Sequence, residues 1–369
     1  MKHGEESELK MTQGDFKIAL KGNELYIQII ECLSSKLWAD KWGKIEEKIS
    51  RGRFSGNPFN SIRMSFADCL WADPLPLLSI LMLLVKEHKL NKVTVVLPCF
   101  LANDIKKENY KKGQFLKYLA TQGFLRIMVD NFWVVDAKGR KIGERNIVQF
   151  AEYKNSTFYG EVEILQAQIY DVANIHAVKE FVLNLQNEMS VNLRSQLSLA
   201  VYYSINTQIY NILTELIDNV SAHAYTDDQQ KLFGIYIRKR CGVINNYRQK
   251  SYDFMKALSF EQENCPALGM EILEGSESLL EIFFLDLGIG ISGSLKESFL
   301  NIKKEKCMYP VRELFCRVLK DGERAKGSKA VTAYGGLHFI TRIIRENKGY
   351  IWFKDSNEWV GAYCSDIIN

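Results

Sequence analysis

Apolar and polar positions along this chain fall into short runs of two different periods. "NELYIQII" (23–30) reads as a strand, and a mixed, helix-like stretch follows through Trp38 and Trp42. The first half of "SIRMSFADCLWADP" (61–74) alternates in the same way, and the pattern breaks at Asp73-Pro74. Residues 75–88 carry apolar content of helix length that ends in charge. "NKVTVVLP" (91–98) is a short continuous apolar run with β-branched residues, which suits a buried strand. Strand, helix and strand in that order imply a βαβ unit. "GQFLKYLATQGFLRIM" (113–128) predicts one further helix, with Phe115, Leu116 and Leu119 on one side. From about 130 to 170 the pattern weakens, and "NFWVVDAKGRK" and "NIVQFAEY" suggest short strands.

Beyond that point "NIHAVKEFVLNLQNEMSVNLRSQLSLA" (174–200) is polar-rich and helical in composition. The expected order is then a helix over 205–225, a strand over 231–238, a loop-rich insertion over 241–278 and a strand over 279–286. A long glycine-punctuated loop with helices leads to a helix over 335–347 and a strand over 349–354. There is no repeat at solenoid periods and no long low-complexity tract. A chain of 369 residues is long enough for two domains. The change of pattern places their boundary near 165–170, giving an N-terminal α/β domain over 1–168 and a second domain over 169–369.

Composition narrows the function classes. With 47% hydrophobic and 25% charged residues the chain reads as globular. Its 48 basic and 44 acidic residues leave a net charge of +4, which makes no electrostatic case for nucleic-acid or membrane binding. Lys106, Lys107, Lys111 and Lys112 read as solvated surface. Cysteines stand at 32, 69, 99, 241, 265, 307, 316 and 364 without a CxxC pair, so neither a zinc site nor a disulfide framework is expected. The N-terminus is polar, without a signal-peptide apolar region. The longest apolar run, "PLPLLSILMLLV" (74–85), is about half of the roughly 20 residues that span a bilayer. The expectation is a cytoplasmic protein.

Three stretches carry chemistry. In "IYNILTELIDNVSAHA" (209–224), Ile209, Ile212, Leu213, Leu216, Ile217 and Val220 follow the spacing of one helix face. Glu215 and Asn219 lie roughly 40° apart along one margin of it. A carboxylate there can orient or deprotonate a water, and an amide oxygen is a hard ligand suited to Mg²⁺; taken alone, the pair suits a half-exposed helix edge as well. "LLEIFFLDLGIGISGSL" (279–295) is an apolar strand ending at Asp286, with Gly288 and Gly290 following. Such an Asp can accept a hydrogen bond from an exocyclic amine, and the glycines let backbone approach a flat ring, or simply make a turn. In "KGSKAVTAYGGLHFITRIIRENKG" (326–349), Gly335 and Gly336 immediately precede a helix. Free amides and the positive dipole end there suit an anion, to which Lys326 and Lys329 could add charge.

Taken together, in this order, the three stretches resemble the GHKL ATPases, over roughly residues 195–360. The N box of that superfamily looks like Glu215 to Asn219, its first glycine box like Asp286 to Gly290, and its second like Gly335 to Leu337. The resemblance implies a Bergerat-type α/β sandwich over 169–369, a mixed sheet with helices on one face, that binds ATP with Mg²⁺. It makes Glu215 the general base, Asn219 the metal ligand, Asp286 the adenine reader, and Gly335 and Gly336 the phosphate cradle under a mobile lid. Gly288, Gly290, Lys326 and Leu337 complete the cofactor-binding set. This sequence has a glycine doublet where the family has a longer run, and Ala362 in "VGAYCSDIIN" stands near the family's closing Thr.

Residues 62–98 more faintly resemble STAS domains, the anti-sigma-factor antagonists, although Pro74 after Asp73 replaces the phosphorylatable Ser that many of them carry; a generic α/β domain fits equally. The leading expectation is a slow ATPase whose lid closure drives a conformational or dimerisation switch, with a homodimer or a partner protein engaged through the first domain. The alternatives are a protein kinase of the histidine-kinase or anti-sigma-factor type, and a nucleotide-binding module without turnover. His176, in "NIHAVKE", lacks the acidic residue and proline of a phosphoacceptor and reads as an ordinary helix residue.

Overall fold

In the computed structural model of this chain, the residues described are 16–88, 91–99, 107–152, 161–223, 231–241, 278–288, 290, 336–347, 350–355 and 358–363. The fold is α/β, with a mixed sheet and helices, and it divides into two compact units. The first is Met1–Tyr159 with Gln166–Ile169 and Gly234–Tyr236; the second is Gly160–Leu165, Tyr170–Phe233 and Ile237–Asn369.

The first unit begins with an antiparallel hairpin of β1 (Phe16–Lys21) and β2 (Glu24–Leu33). After α1 (Ser35–Ser50) and a small hairpin of β3 (Arg53–Phe54) and β4 (Asn57–Pro58), β5 (Ser61–Ala72) lies parallel to β2. The helix α2 (Pro74–His88) then leads to β6 (Lys92–Leu97), parallel to β5, which is the expected βαβ unit. Further along, α3 (Lys107–Thr121) and α4 (Phe124–Asn131) lead to β7 (Trp133–Asp136), parallel to β6. The strand order β1-β2-β5-β6-β7 thus makes a mixed sheet. Pro74 opens α2 at the position where a missing N–H costs nothing. This helix is apolar all round because it is buried all round: Leu77, Leu78, Ile80, Leu81 and Leu84 are each 0% exposed. Burying such a side chain contributes roughly 1.5–3 kcal/mol over leaving it in water.

Two expectations in this unit are corrected. Residues 113–128 are not one helix, because α3 stops at Thr121 and Gly123 takes a left-handed φ of 87° before α4 begins. The apolar spacing runs on across the break, which is why the pattern conceals it. Gln166 and Ala167 take over the helix end: Gln166 Nε2 donates to Thr121 O at 3.0 Å, and Ala167 N to Gln122 O at 2.9 Å. Residues 146–153 are not a strand either; Glu144–Ala151 form helix α5. Its buried Ile147 and half-buried Phe150 and Ala151 share one side, and Asn146 Oδ1 accepts from Gly143 N at 3.0 Å at its start.

A second sheet, of order β10-β9-β8, consists of β8 (Glu161–Asp171), β9 (Leu232–Cys241) and β10 (Ser278–Asp286). The helices of the second unit are α6 (Val178–Gln196), α7 (Leu199–His223) and α8 (Gly336–Glu346), and β11 (Tyr350–Asp355) pairs antiparallel with β12 (Glu358–Tyr363). Tyr170, Phe233 and Phe284 stack across three strands, with centroids 5.3 Å apart in both pairs. Phe181 of α6 meets Tyr170 edge-on at 4.9 Å, so α6 covers that face. Burial, helped by the charge of Glu188, pushes the Tyr170 hydroxyl above its ordinary pKa.

Candidate functional site

The second unit brings α7, α8 and β10 together through a small apolar cluster. Ile212 of α7 packs with Ile340 and Ile343 of α8, and Leu216, Ile282, Leu337 and Ile344 close around them. The stripe read from the sequence is the buried face of α7: Ile209, Leu213, Ile217 and Val220 are each at most 3% exposed. Leu337, one of the expected cofactor-binding residues, is thus part of the packing that fixes α8 against α7.

That packing puts the start of α8 against the polar margin of α7. Gly336 opens α8, and a Cβ added there would overlap Glu215 Oε2 and stand 3.3 Å from Asn219 Nδ2. Only a glycine lets the carboxylate come so close. Glu215 and Asn219 are each half-buried, one helical turn apart. Asn219 Nδ2 is sealed from solvent without a hydrogen-bond partner, as is Thr214 Oγ1 on the same helix. A buried donor with no acceptor costs about 1–3 kcal/mol, and a group bearing acceptor oxygens would relieve that cost. Next along α7, burial pushes the Asp218 carboxyl above its ordinary pKa, and Lys179 pulls it only partly back. Thr214 and Asp218 carried no signal in the sequence, since neither belongs to a spacing that the apolar stripe or the glycines mark.

Asp286 closes β10, on the same strand face as Ile282 and roughly 13 Å farther along. Its side chain is exposed, and Oδ1 accepts from Gly288 N at 2.9 Å, so the carboxylate organises the glycine turn that follows it. Gly290 holds a φ of 73°, which suits glycine. Gly335, Lys326 and Lys329 lie outside the described residues, as does the segment 291–335 where a lid is expected. Ala362 pairs with Ile351 in the β11–β12 hairpin. His176 is not in a helix; it lies in a bend two residues before α6, and exposed.

Among the described residues no group of three or more His, Cys, Asp or Glu could hold a metal ion, and no helix is long and apolar enough to cross a membrane. No protein-family model matches the chain, and neither a curated protein nor a solved structure matches it significantly.

Proposed function

We propose that the second unit binds ATP with Mg²⁺ at the junction of α7, β10 and the start of α8, and that it hydrolyses the nucleotide slowly. One observation carries this reading: residues more than a hundred positions apart, Glu215 and Asn219 on one side and Gly336 on the other, meet at a helix N-terminus. Free amides and the dipole at such an end favour a phosphate. Asn219 bears a hard oxygen of the kind Mg²⁺ takes, and its Nδ2, close to Gly336 at the start of α8, would donate to a phosphate oxygen. With no all-protein cluster among the described residues, Mg²⁺ would take its other ligands from phosphate and water, its usual habit in nucleotide sites. Bound there it would neutralise phosphate charge. In this reading Glu215 takes the proton of an attacking water, and Asp286 faces the base.

Thermal melts of the full chain with and without ATP and Mg²⁺ test the reading. Ligand that binds only the folded state adds about 2.7 kcal/mol of stability at a hundredfold excess over Kd. A rise in Tm that needs both ATP and Mg²⁺ is expected, together with slow phosphate release. An unchanged Tm at millimolar nucleotide would count decisively against it.

A further inference from the structure

The register of the first unit's sheet sorts its side chains into two unlike faces. On one, Ile27, Met64, Val95 and Val134 stand side by side across β2, β5, β6 and β7, each at most 1% exposed. Phe16 on this face meets Trp42 of α1 with centroids 5.6 Å apart, and Phe66 meets Phe115 of α3 at 6.5 Å, so helices cover it. One residue earlier along each of those strands the row reads Tyr26, Arg63, Thr94 and Trp133, with Ala19 of β1 beside Tyr26. Successive side chains alternate, so this row belongs to the opposite face. Trp133 is 51% exposed and the Arg63 side chain 38%. Thr94 between them is short and buried, a floor from which the larger side chains rise.

We propose that this second face binds single-stranded nucleic acid without reading its sequence. The register places Lys17 and Lys21 of β1 and Lys92 of β6 on the same face, all exposed. Lys21 Nζ lies 4.8 Å from the centre of the Tyr26 ring, and Lys141 Nζ 4.7 Å from the centre of the Trp133 ring. Two carboxylates temper this charge: Glu24 pairs with Arg63 at 2.9 Å, and Asp68 accepts from Gln28. The cations outnumber them, a local excess that the chain-wide balance of 48 basic and 44 acidic residues averages away. A single strand carries an anionic phosphate and a flat base face in every nucleotide, so it answers cations and rings together. A duplex hides its base faces. An acidic peptide or an anionic lipid surface would meet the lysines and give the rings nothing to stack on. Tyr26 and Trp133 stand on β2 and β7, with β5 and β6 between them, roughly 14 Å apart at about 4.8 Å per strand. One strand of nucleic acid crossing the sheet passes over both.

The test uses the full chain and a fluorescent oligothymidylate of about 12 nucleotides without a terminal phosphate, within the span of one such site. A duplex of the same length, polyglutamate and phosphatidylserine vesicles are the comparison probes. The oligonucleotide should bind with a Kd that rises with salt. Excess ATP with Mg²⁺ should leave it bound, which separates this face from the nucleotide site of the second unit. Trp133→Ala should weaken binding at least about fivefold, the lower end for one stacked base. Should that variant not fold, Trp133→Leu keeps apolar bulk without a π face and must show the same loss. Lys92→Ala should lessen the slope of log Kd against log salt by about 0.7, the value for one phosphate of a single strand. Duplex, polyglutamate or vesicles bound as tightly as the oligonucleotide overturn the proposal, and so does competition by ATP. It is equally overturned by no binding at about 100 μM oligonucleotide in low salt, the weak end of non-specific association. Unchanged affinity in the Trp133 variants, or an unchanged slope in Lys92→Ala, overturns it as well.

Discussion

Two glycines in this chain stand in close contacts of different kinds. At Gly336 a side chain would meet Glu215 Oε2, the far end of a flexible side chain that can swing away. Gly123 has no such relief. Its φ of 87° is left-handed, and an added Cβ would lie 2.8 Å from Gln166 Cβ and 3.0 Å from both the N and O of Ala167. Backbone cannot swing aside as a carboxylate can. The left-handed conformation alone costs a residue with a Cβ roughly 1–2 kcal/mol, and the overlap adds to it. Gly123→Ala is therefore expected to destabilise the protein by at least about 2 kcal/mol, read as a fall in urea midpoint with unchanged m-value. A loss below about 0.5 kcal/mol, within the range of ordinary surface changes, would contradict the role given to this break between α3 and α4.

At the scale of elements, α2 shows how a helix can fit its core almost everywhere and strain at one end. Glu87 is buried at its C-terminal turn, 6% exposed, where the helix dipole disfavours a negative charge. Burial pushes its carboxyl above the ordinary value and Lys86 only partly offsets this. A raised folded-state pKa means the native protein holds the proton more readily than the unfolded chain. That contribution is fully present below the unfolded value, about 4.3, and is lost as pH rises through the raised folded value. Glu87→Gln has no charge to desolvate, so it should melt above wild type at pH 7, with the gain disappearing as pH falls towards about 4. A constant difference across that range would mean packing, not ionisation, sets the effect.

Elements with one strong local pattern were legible in advance. The run of α2, the β-branched β6 and the stripe of α7 each state their burial within a few residues. The pattern misled where long-range partners decide: the break at Gly123 depends on Gln166 and Ala167, which no local spacing reveals. β8 was hidden because its alternation changes phase at Ile164-Leu165, with Glu161 and Glu163 on odd positions and Gln166 and Gln168 on even ones. Within the site, Glu215, Asn219, Asp286 and Gly336 could be singled out from their own neighbourhoods. That Gly336 abuts Glu215 could not, because it follows from the packing of Ile212 with Ile340 and Ile343.

At the scale of the whole molecule, the first unit is not complete at any single cut in the chain. It includes Gln166–Ile169 from the middle of β8 and Gly234–Tyr236 from the middle of β9. The side chains show why. Tyr236, 0% exposed, donates its hydroxyl to Gln122 Oε1 at 2.5 Å and packs its ring on Phe124 with centroids 5.5 Å apart. Gly234 lies so close to Met82 that an added Cβ would stand 2.5 Å from its Sδ. A fragment ending at Tyr159 would leave Gln122, itself only 5% exposed, without that acceptor role filled, and would uncover Phe124 and Met82 to water. It would also lose the Gln166 and Ala167 donors that finish α3. Exposing a side chain such as Met82 or Phe124 alone costs about 1.5–3 kcal/mol, a large share of the 5–15 kcal/mol that holds a typical domain folded. The fragment 1–159 should therefore unfold at lower urea, and less cooperatively, than the same region does in the full chain, followed by the fluorescence of Trp38, Trp42, Trp71 and Trp133. A fragment that melts as sharply and as late as the intact protein would show that the pieces of β8 and β9 are dispensable to the first unit.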